Sequence, residues 1–487
     1  MNLKFRTDGI SGPAFRLVAG RVIGGVVSFA IPVVLARILL PAAFGTYKQL
    51  FLIYATLFGL AQLGAAESLY YFVPSKPAEA GRSVCNAVGT LALVGTACLG
   101  VLYLARTTIA GWLGNAELAN HLPLVGLFLT LTLVSAAFEI VMVSRKEPAK
   151  AAFVYAASDV VRTLSFVVPA LLFGTLHAVL IGAAVFAAVR VTAMLAYLWT
   201  AYGRTLRLDV GIWRRQLAYA LPFELAVGVD VIQANAHQWV VATRFDAAAF
   251  AIYAVGCLQI PLVDLICTST ANVMMVKMAE LAAQGEQAGL ALWHDTTVKL
   301  ASLMFPLAAL LFLTAHGVIV LLFTKTYLAS VPILRVWCLM IIPSAFAVDA
   351  VLRAHARTRF LLLMNIVRLA VILGLVGWCI SAFGVVGAVV ATLVGTAVVK
   401  ALAMARIARL MNVGISEVLP WKRLAATAVH AGVPLVPAWA TGDIVTGPEI
   451  VTVFSSVAIY GAVYLALWFV LRTHFSIVIA GLQQEAS

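Results

Sequence analysis

Charge is scarce in this sequence: Asp, Glu, Lys and Arg make up 11% of 487 residues, hydrophobic residues make up 63%, and the mean hydropathy is +1.03. A soluble domain carries about 25% charged residues, so a water-soluble fold of this composition would leave more apolar surface than it could bury. That class is excluded. Cysteine is sparse too. The six (Cys85, Cys98, Cys257, Cys267, Cys338, Cys379) lie far apart in apolar stretches, with no CxxC pair and no His at ligand spacing, so they read as buried thiols rather than a disulfide or zinc framework. No Gly-Lys-Ser or Gly-Lys-Thr occurs, and without that phosphate cradle the chain is not an ATP-driven pump. No connection exceeds roughly twenty residues, which leaves no room for a soluble catalytic domain.

What the sequence does have is long apolar runs. At about 20 residues per bilayer crossing, they read as spans near 17–37, 48–73, 84–105, 122–144, 152–173, 178–200, 217–241, 249–275, 298–323, 332–354, 360–382, 386–405, 424–440 and 450–471. The first follows Lys4, Arg6 and Arg16 and is longer than a signal-peptide core, so it reads as an uncleaved span. The formal charge of +13 sits in short clusters between spans, a pattern of membrane orientation and not of nucleic-acid binding. Alternate connections sort twenty Lys and Arg residues onto the side of the N-terminus and five (Arg37, Lys48, Arg106, Arg244, Lys325) onto the other. By the positive-inside rule both termini are cytoplasmic.

A repeat runs at a period near 206 to 210 residues. Ala42-Ala43-Phe44-Gly45-Thr46-Tyr47 after Arg37 is matched by Ala248-Ala249-Phe250-Ala251-Ile252-Tyr253 after Arg244. Asp159-x-x-Arg162 is matched by Asn365-x-x-Arg368, and Gly174 precedes Arg190 by the sixteen residues that separate Gly384 from Lys400. The expected fold is therefore an all-α integral membrane protein of about 14 helices, with two six-helix lobes in parallel repeat and two appended helices. The corresponding boundaries are 1–203, a basic linker at 204–216, a second lobe at 217–410, and 411–487 for the last two helices.

Thirteen charged residues fall in or near hydrocarbon: Arg21, Glu67, Glu139, Asp159, Arg162, Arg190, Glu224, Asp230, Asp264, Asp349, Arg353, Arg368 and Lys400. Each costs about 2.5 to 3.5 kcal/mol at a helix centre, so most must face protein or water. Gln49, Thr56, Gly59, Leu63, Glu67 and Tyr70 form one helical stripe, read as a cavity lining. Span seven carries Glu224, Asp230, Gln233, Asn235, His237 and Gln238 and is expected to face a wet cavity, with Arg21 opposite Glu224 and Asp230. Two readings stand for Asp159 with Arg162 and for Asp349 with Arg353: neutralising pairs at helical spacing, or cavity groups. Arg190 and Lys400 read as residues that snorkel to headgroups. His237 reads as a hydrogen-bonded packing residue or a proton group. The internal prolines Pro32, Pro169, Pro222, Pro261 and Pro343 read as bends.

The segment Leu35-Ala36-Arg37-Ile38-Leu39-Leu40-Pro41-Ala42-Ala43-Phe44-Gly45-Thr46-Tyr47, with Leu63-Gly64 and Tyr70-Tyr71-Phe72-Val73-Pro74, resembles the opening of Wzx-type polysaccharide flippases. These belong to the multidrug/oligosaccharidyl-lipid/polysaccharide exporter superfamily. Arg37, Pro41, Gly45 and Tyr47 have counterparts there, whereas Phe44 replaces the commoner acidic-aromatic pairing. The resemblance implies fourteen helices around a cavity and translocation of an undecaprenyl-diphosphate-linked oligosaccharide to the periplasmic leaflet of a bacterial inner membrane. Membrane lipids, a polysaccharide polymerase and glycosyltransferases are the implied partners.

The residues fit that chemistry. A diphosphate calls for guanidinium groups, here Arg21, Arg162, Arg353 and Arg368; sugars call for polar and aromatic groups, here Gln49, Glu67, Tyr70, Asn235 and Gln238. Glu224, Asp230 and Asp264 are the candidates for proton or sodium coupling, and no cofactor or metal is called for. An ion-coupled multidrug cation exporter of the same superfamily is the main alternative, disfavoured by the intramembrane cations. A membrane glycan-assembly enzyme or scaffold is the second, though the outer loop Ile38 to Tyr47 has no acidic residue to serve as base.

Reporter fusions test the topology: those after Arg215 and Arg409 should read cytoplasmic and one at Asp443 periplasmic. An opposite reading at either basic loop overturns the span count.

Overall fold

In the computed structural model the described residues are 11–281, 286–444 and 448–484; side chains are described from residue 24, except those at 26, 286, 441–444, 468 and 470–484. Among the described residues all regular structure is helical. The chain divides into two compact units, Met1–Ala254 and Val255–Ser487.

The first unit contains α1 (Ser11–Ile38), α2 (Pro41–Ala61), α3 (Leu69–Ser75), α4 (Ala80–Leu104), α5 (Arg106–Trp112), α6 (Leu118–Ser135), α7 (Ala137–Ser144), α8 (Pro148–Phe173), α9 (Leu176–Tyr202), α10 (Val210–Arg244) and most of α11 (Ala247–Gly256). Here α1 lies along α8, α4 along α6, and α9 against both α6 and α8. α10 packs on α2 and α4. The second unit contains α12 (Pro261–Leu281), α13 (Glu286–Phe323), α14 (Val331–Cys338), α15 (Ile341–Ser344), α16 (Val348–Ala354), α17 (Thr358–Phe383), α18 (Val386–Leu410), α19 (Trp421–Gly432), α20 (Leu435–Ile444) and α21 (Glu449–Gln484). α17 pairs with α18, and α13 is the hub on which α12, α14, α19 and α21 pack.

Eleven helical segments among the described residues are long and apolar enough to cross a membrane. α1, α2 with α3, and α19 with α20 occupy the other three expected span positions, and the exact count of fourteen stays an expectation. Large apolar side chains are exposed all along the helices, among them Leu171, Leu172, Phe173, Phe223 and Leu225, as a lipid-facing surface requires.

Helix ends follow local chemistry. Pro41 and Pro148 open α2 and α8 where a missing N–H costs nothing. Gly174 closes α8 in the left-handed conformation at φ 63°, and the Thr175 hydroxyl caps α9 by accepting from the Ala178 N–H.

Five expected spans are divided between helices: 122–144 into α6 and α7, 424–440 into α19 and α20, and three others. The 48–73 span stops at Ala61 and restarts at Leu69, because Leu63 and Gly64 both take positive φ (49° and 61°). The expected stripe is therefore cut between Gly59 and Glu67. Its upper part is the seam with α10: Gln49 donates to the Ala242 carbonyl at 3.4 Å and Thr56 accepts from the Trp239 indole at 3.0 Å. The 249–275 span is interrupted between α11 and α12, which Pro261 opens, and the 332–354 span is divided into α14, α15 and α16.

The two copies of the repeated motif meet inside the first unit. Phe44, Phe250 and Tyr253 are fully buried, and Gly45 lies so close to the Ala247 carbonyl that any Cβ there would collide with it.

Asp209 ties the basic linker down. Its carboxylate accepts from the Gly211 and Ile212 N–H groups at 3.0 Å and from Arg82 at 3.1 Å, while Asn86 brackets its backbone. The Ile212 N–H above all, then the Arg82 guanidinium, hold this carboxyl below the usual carboxylate range. A depressed folded-state pKa contributes stability that is present above the unfolded value, about 3.9, and is lost as pH falls through the folded one. Asp209→Asn should therefore lower the melting temperature in detergent at pH 7, and the gap from the parent chain should close below about pH 4. A gap independent of pH would show that the charge contributes nothing.

Candidate functional site

The first unit has two ion pairs, one partly exposed and one buried. On α8, Asp159 and Arg162 pair at 2.7 Å, and Ser28 of α1 joins both, accepting from Arg162 at 2.6 Å and donating to Asp159 at 3.3 Å. Thr163 adds a bond to the Val27 carbonyl at 3.3 Å, so the long α1–α8 seam is stitched by hydroxyls. On α9, Arg190 pairs with Glu139 of α7 at 2.6 Å and donates to Ser135 of α6 at 3.1 Å. Glu139 is 2% exposed and the Arg190 side chain 17%. Arg190 does not snorkel: its guanidinium has a carboxylate on another helix, and reaching headgroups would strand both charges.

An aromatic layer packs beside these pairs. Phe51 contacts Tyr47, Tyr54, Phe128 and Phe166 at ring separations of 4.5 to 6.0 Å. Tyr54 bonds to Thr132 and lies within electrostatic reach of both Arg162 and Arg190. The Glu139 carboxylate in turn senses Asp159. Two acids and two bases thus form one balanced set.

The second unit groups charges at corresponding positions. Lys400 of α18 lies within electrostatic reach of Asp349 of α16 and Arg368 of α17. Offsets of 210 residues relate Asp349 to Glu139 and Lys400 to Arg190, and 206 relate Arg368 to Arg162. Asn365 stands where the first unit has Asp159, so the same positions carry one formal negative charge fewer. Among the described residues no ion pair joins Asp349 to Arg353, whose side chain is exposed at the end of α16. The shared offset of Glu139/Asp349 and Arg190/Lys400 was the sequence signal for this grouping, and reading each charge against its own helix missed it.

A second cluster forms at the α2–α3 break. Glu224 of α10, 7% exposed, accepts from the Gly64 N–H and interacts electrostatically with Glu67, whose Oε2 is buried and has no hydrogen-bond partner. Beside it Gln216 donates to Ser68 at 3.4 Å and to the Ser83 carbonyl at 3.1 Å. Carboxyls expected in different roles thus meet at one broken helix.

The remaining candidates lie apart. Gln49 is buried and engaged at both amide ends, by Asn115 at 2.7 Å and by Ala242. Asn235 donates to the Val231 carbonyl of its own helix, Gln238 is half-buried, and Asp230 and Tyr70 are exposed. Asp264, in the first turn of α12, is exposed to a cavity of about 170 Å³ that Gln259, Trp337 and Ser344 help to line. His237 is buried, its Nδ1 2.6 Å from the Tyr253 hydroxyl. The Arg21 side chain lies outside the described residues. Among the described residues no group of His, Cys, Asp and Glu is arranged to hold a metal.

The family model described as polysaccharide biosynthesis protein matches residues 34–332. No curated protein sequence matches the chain. Among solved structures, the lipid II flippase MurJ in an inward closed conformation aligns with TM-score 0.71 at 13% identity, over 95% of this chain and 99% of that one. An inward-facing multidrug resistance MATE transporter of the MOP superfamily aligns at 0.58 and 14% identity, over 83% and 97%. A Pyrococcus furiosus transporter of the same superfamily aligns at 0.56 and 12% identity, over 83% and 96%. At these identities the likeness is one of fold.

The Glu139–Arg190 pair gives a direct test. Removing one partner of a buried pair costs about 3 to 5 kcal/mol, whereas replacing both by apolar groups is close to neutral. Glu139→Leu should sharply lower the melting temperature in detergent, and adding Arg190→Leu should restore most of it. Additive losses in the double variant would show that the two charges are not coupled.

Proposed function

Because the chain belongs to the polysaccharide biosynthesis protein family, we propose that it is a flippase of the Wzx type. It carries an undecaprenyl-diphosphate-linked oligosaccharide from the cytoplasmic to the periplasmic leaflet of a bacterial inner membrane. Family membership and a fold shared with flippases and multidrug transporters support a multi-pass membrane transporter. The observation that carries the finer reading is the grouping of Arg368 and Lys400 with Asp349, at positions where Asn365 stands in place of the first unit's Asp159. A diphosphate is attracted by such a group, and the guanidinium of Arg368 offers it a planar, two-pronged donor. A cationic drug would be repelled.

Arg162 is held by Asp159 and Ser28, so in this reading it supports the first unit while Arg368 serves the substrate, together with Arg21 and Arg353. The sugars meet polar and aromatic groups such as Tyr70, Asn235 and Gln238. The polyprenyl tail stays in lipid. No bond is broken, so the protein is a transporter and not an enzyme, working beside the polymerase and glycosyltransferases of the same assembly route.

Export needs no ATP. One elementary charge moved through about 100 mV is worth about 2.3 kcal/mol, so a headgroup with roughly two negative charges gains about 4 to 5 kcal/mol by leaving an inside-negative cell. The empty carrier is then reset by protons or sodium ions entering on carboxyls. The Glu67–Glu224 pair at the helix break supports that role most directly, with Asp230 and Asp264 as further candidates.

Proteoliposomes with purified protein and a fluorescent lipid-linked oligosaccharide test both statements. An imposed potential should speed translocation and its reversal slow it. Arg368→Ala should reduce the rate about tenfold or more, the scale of a charge-assisted hydrogen bond, while Arg368→Lys keeps part of it. Rates indifferent to potential and ion gradients, or unchanged in Arg368→Ala, would refute the reading.

A further inference from the structure

A cavity of about 300 Å³ lies in the second unit where α20 and α21 pack on α13 and α14. It is separate from the charged groups described above. Its wall carries Arg335 of α14, Glu449 and Ser456 of α21, Thr314 and His316 of α13, and Trp439 of α20. The guanidinium of Arg335 is placed over the Phe312 ring, 5.7 Å from its centroid, and among the described residues it has no acidic partner. The Glu449 carboxylate lies 3.6 Å from His316 Nδ1 and keeps 36% of its surface open. Thr314 and Ser456 are each 7% exposed.

Depth and charge together narrow the occupant. Glu449 is the first residue of α21 and Ser456 lies seven residues on, about 10 Å further along the helix at 1.5 Å per residue. The cavity therefore starts at the helix end and stops about 10 Å inside it, a depth that crosses the headgroup layer, about 5 to 8 Å on each side of a core of about 30 Å, and ends at the edge of the hydrocarbon. Trp439, 63% exposed, is the residue type that collects at that level. One wall is cationic and another anionic, so a ligand of a single charge sign would satisfy only one of them. The volume equals that of about ten waters, enough for a zwitterionic group of about eight heavy atoms with residual solvent.

We propose that this cavity binds the headgroup of a zwitterionic phospholipid of the phosphatidylethanolamine type, with its phosphate on Arg335 and its ammonium on Glu449. The Ser456 and Thr314 hydroxyls sit at the inner end, where the ester groups of the lipid begin. The assignment does not depend on what the protein transports.

Native mass spectrometry of the purified full chain tests it, with phosphatidylethanolamine, phosphatidylglycerol and water-soluble glycerophosphoethanolamine as probes. The parent chain should retain phosphatidylethanolamine over phosphatidylglycerol, and retain the soluble headgroup far less because the acyl chains supply the rest of the affinity. Arg335→Gln should lower phosphatidylethanolamine retention about tenfold, as loss of a charge-assisted bond predicts, and Arg335→Lys should recover part of it, which a misfolded variant would not. Glu449→Gln should abolish the preference between the two lipids while leaving phospholipid retention. Equal retention of both lipids by the parent chain, unchanged preference in both variants, or displacement of the lipid by a neutral disaccharide would each overturn the assignment.

Discussion

The first unit depends on the 2.6 Å bond between Glu139 and Arg190. Each of these charges alone would cost about 2.5 to 3.5 kcal/mol to place in hydrocarbon, and neither has a neutralising neighbour on its own helix. The pair therefore fixes α9 against α7, and Ser135 draws in α6. Once that seam is set, the aromatic layer around Phe51 has a wall to pack on, and Asp159, Arg162 and Ser28 close the opposite side by tying α1 to α8. The bundle is organised by charges that cancel inside it.

The same accounting governs the backbone. A helix that breaks in a membrane frees N–H and C=O groups that water cannot reach. At three of the interruptions a side chain takes up one of them: Glu224 accepts from the Gly64 N–H, Trp337 donates to the Leu258 carbonyl at 3.1 Å, and Trp293 donates to the Phe346 carbonyl at 2.8 Å. These three breaks are thus built positions, each with a dedicated partner from a neighbouring helix. Trp293 is fully buried to reach its carbonyl, and the methionine-rich core of the second unit closes around it.

Whatever is local was legible in the sequence. Hydropathy placed the spans, helical spacing identified Asp159 with Arg162, and the repeated motifs named Phe44, Tyr47, Phe250 and Tyr253, all of which are buried. What stayed hidden depends on contacts between distant segments. Arg190 looked like a snorkelling residue because Glu139 is 51 positions away. The stripe on the second span looked continuous because a straight helix was assumed through Leu63, whose positive φ nothing in its residue type announces. Glu67 and Glu224 were assigned separate roles because only the break brings them together. Periodicity describes a helix face, and it cannot say which neighbour that face meets.

The duplication then explains why the two units are not interchangeable. Both hold an acid on the short helix, a base on the last, and an arginine on the helix between, at offsets of 206 to 210 residues. In the first unit Asp159 completes the balance, and the set holds the bundle together without a net field to offer a ligand. In the second, Asn365 keeps a polar side chain but gives up the charge. On the proposed function the substrate's diphosphate supplies, while it is bound, the negative charge that Asp159 supplies in the first unit. On that reading one difference between the repeats, acid to amide, separates a scaffold from a site.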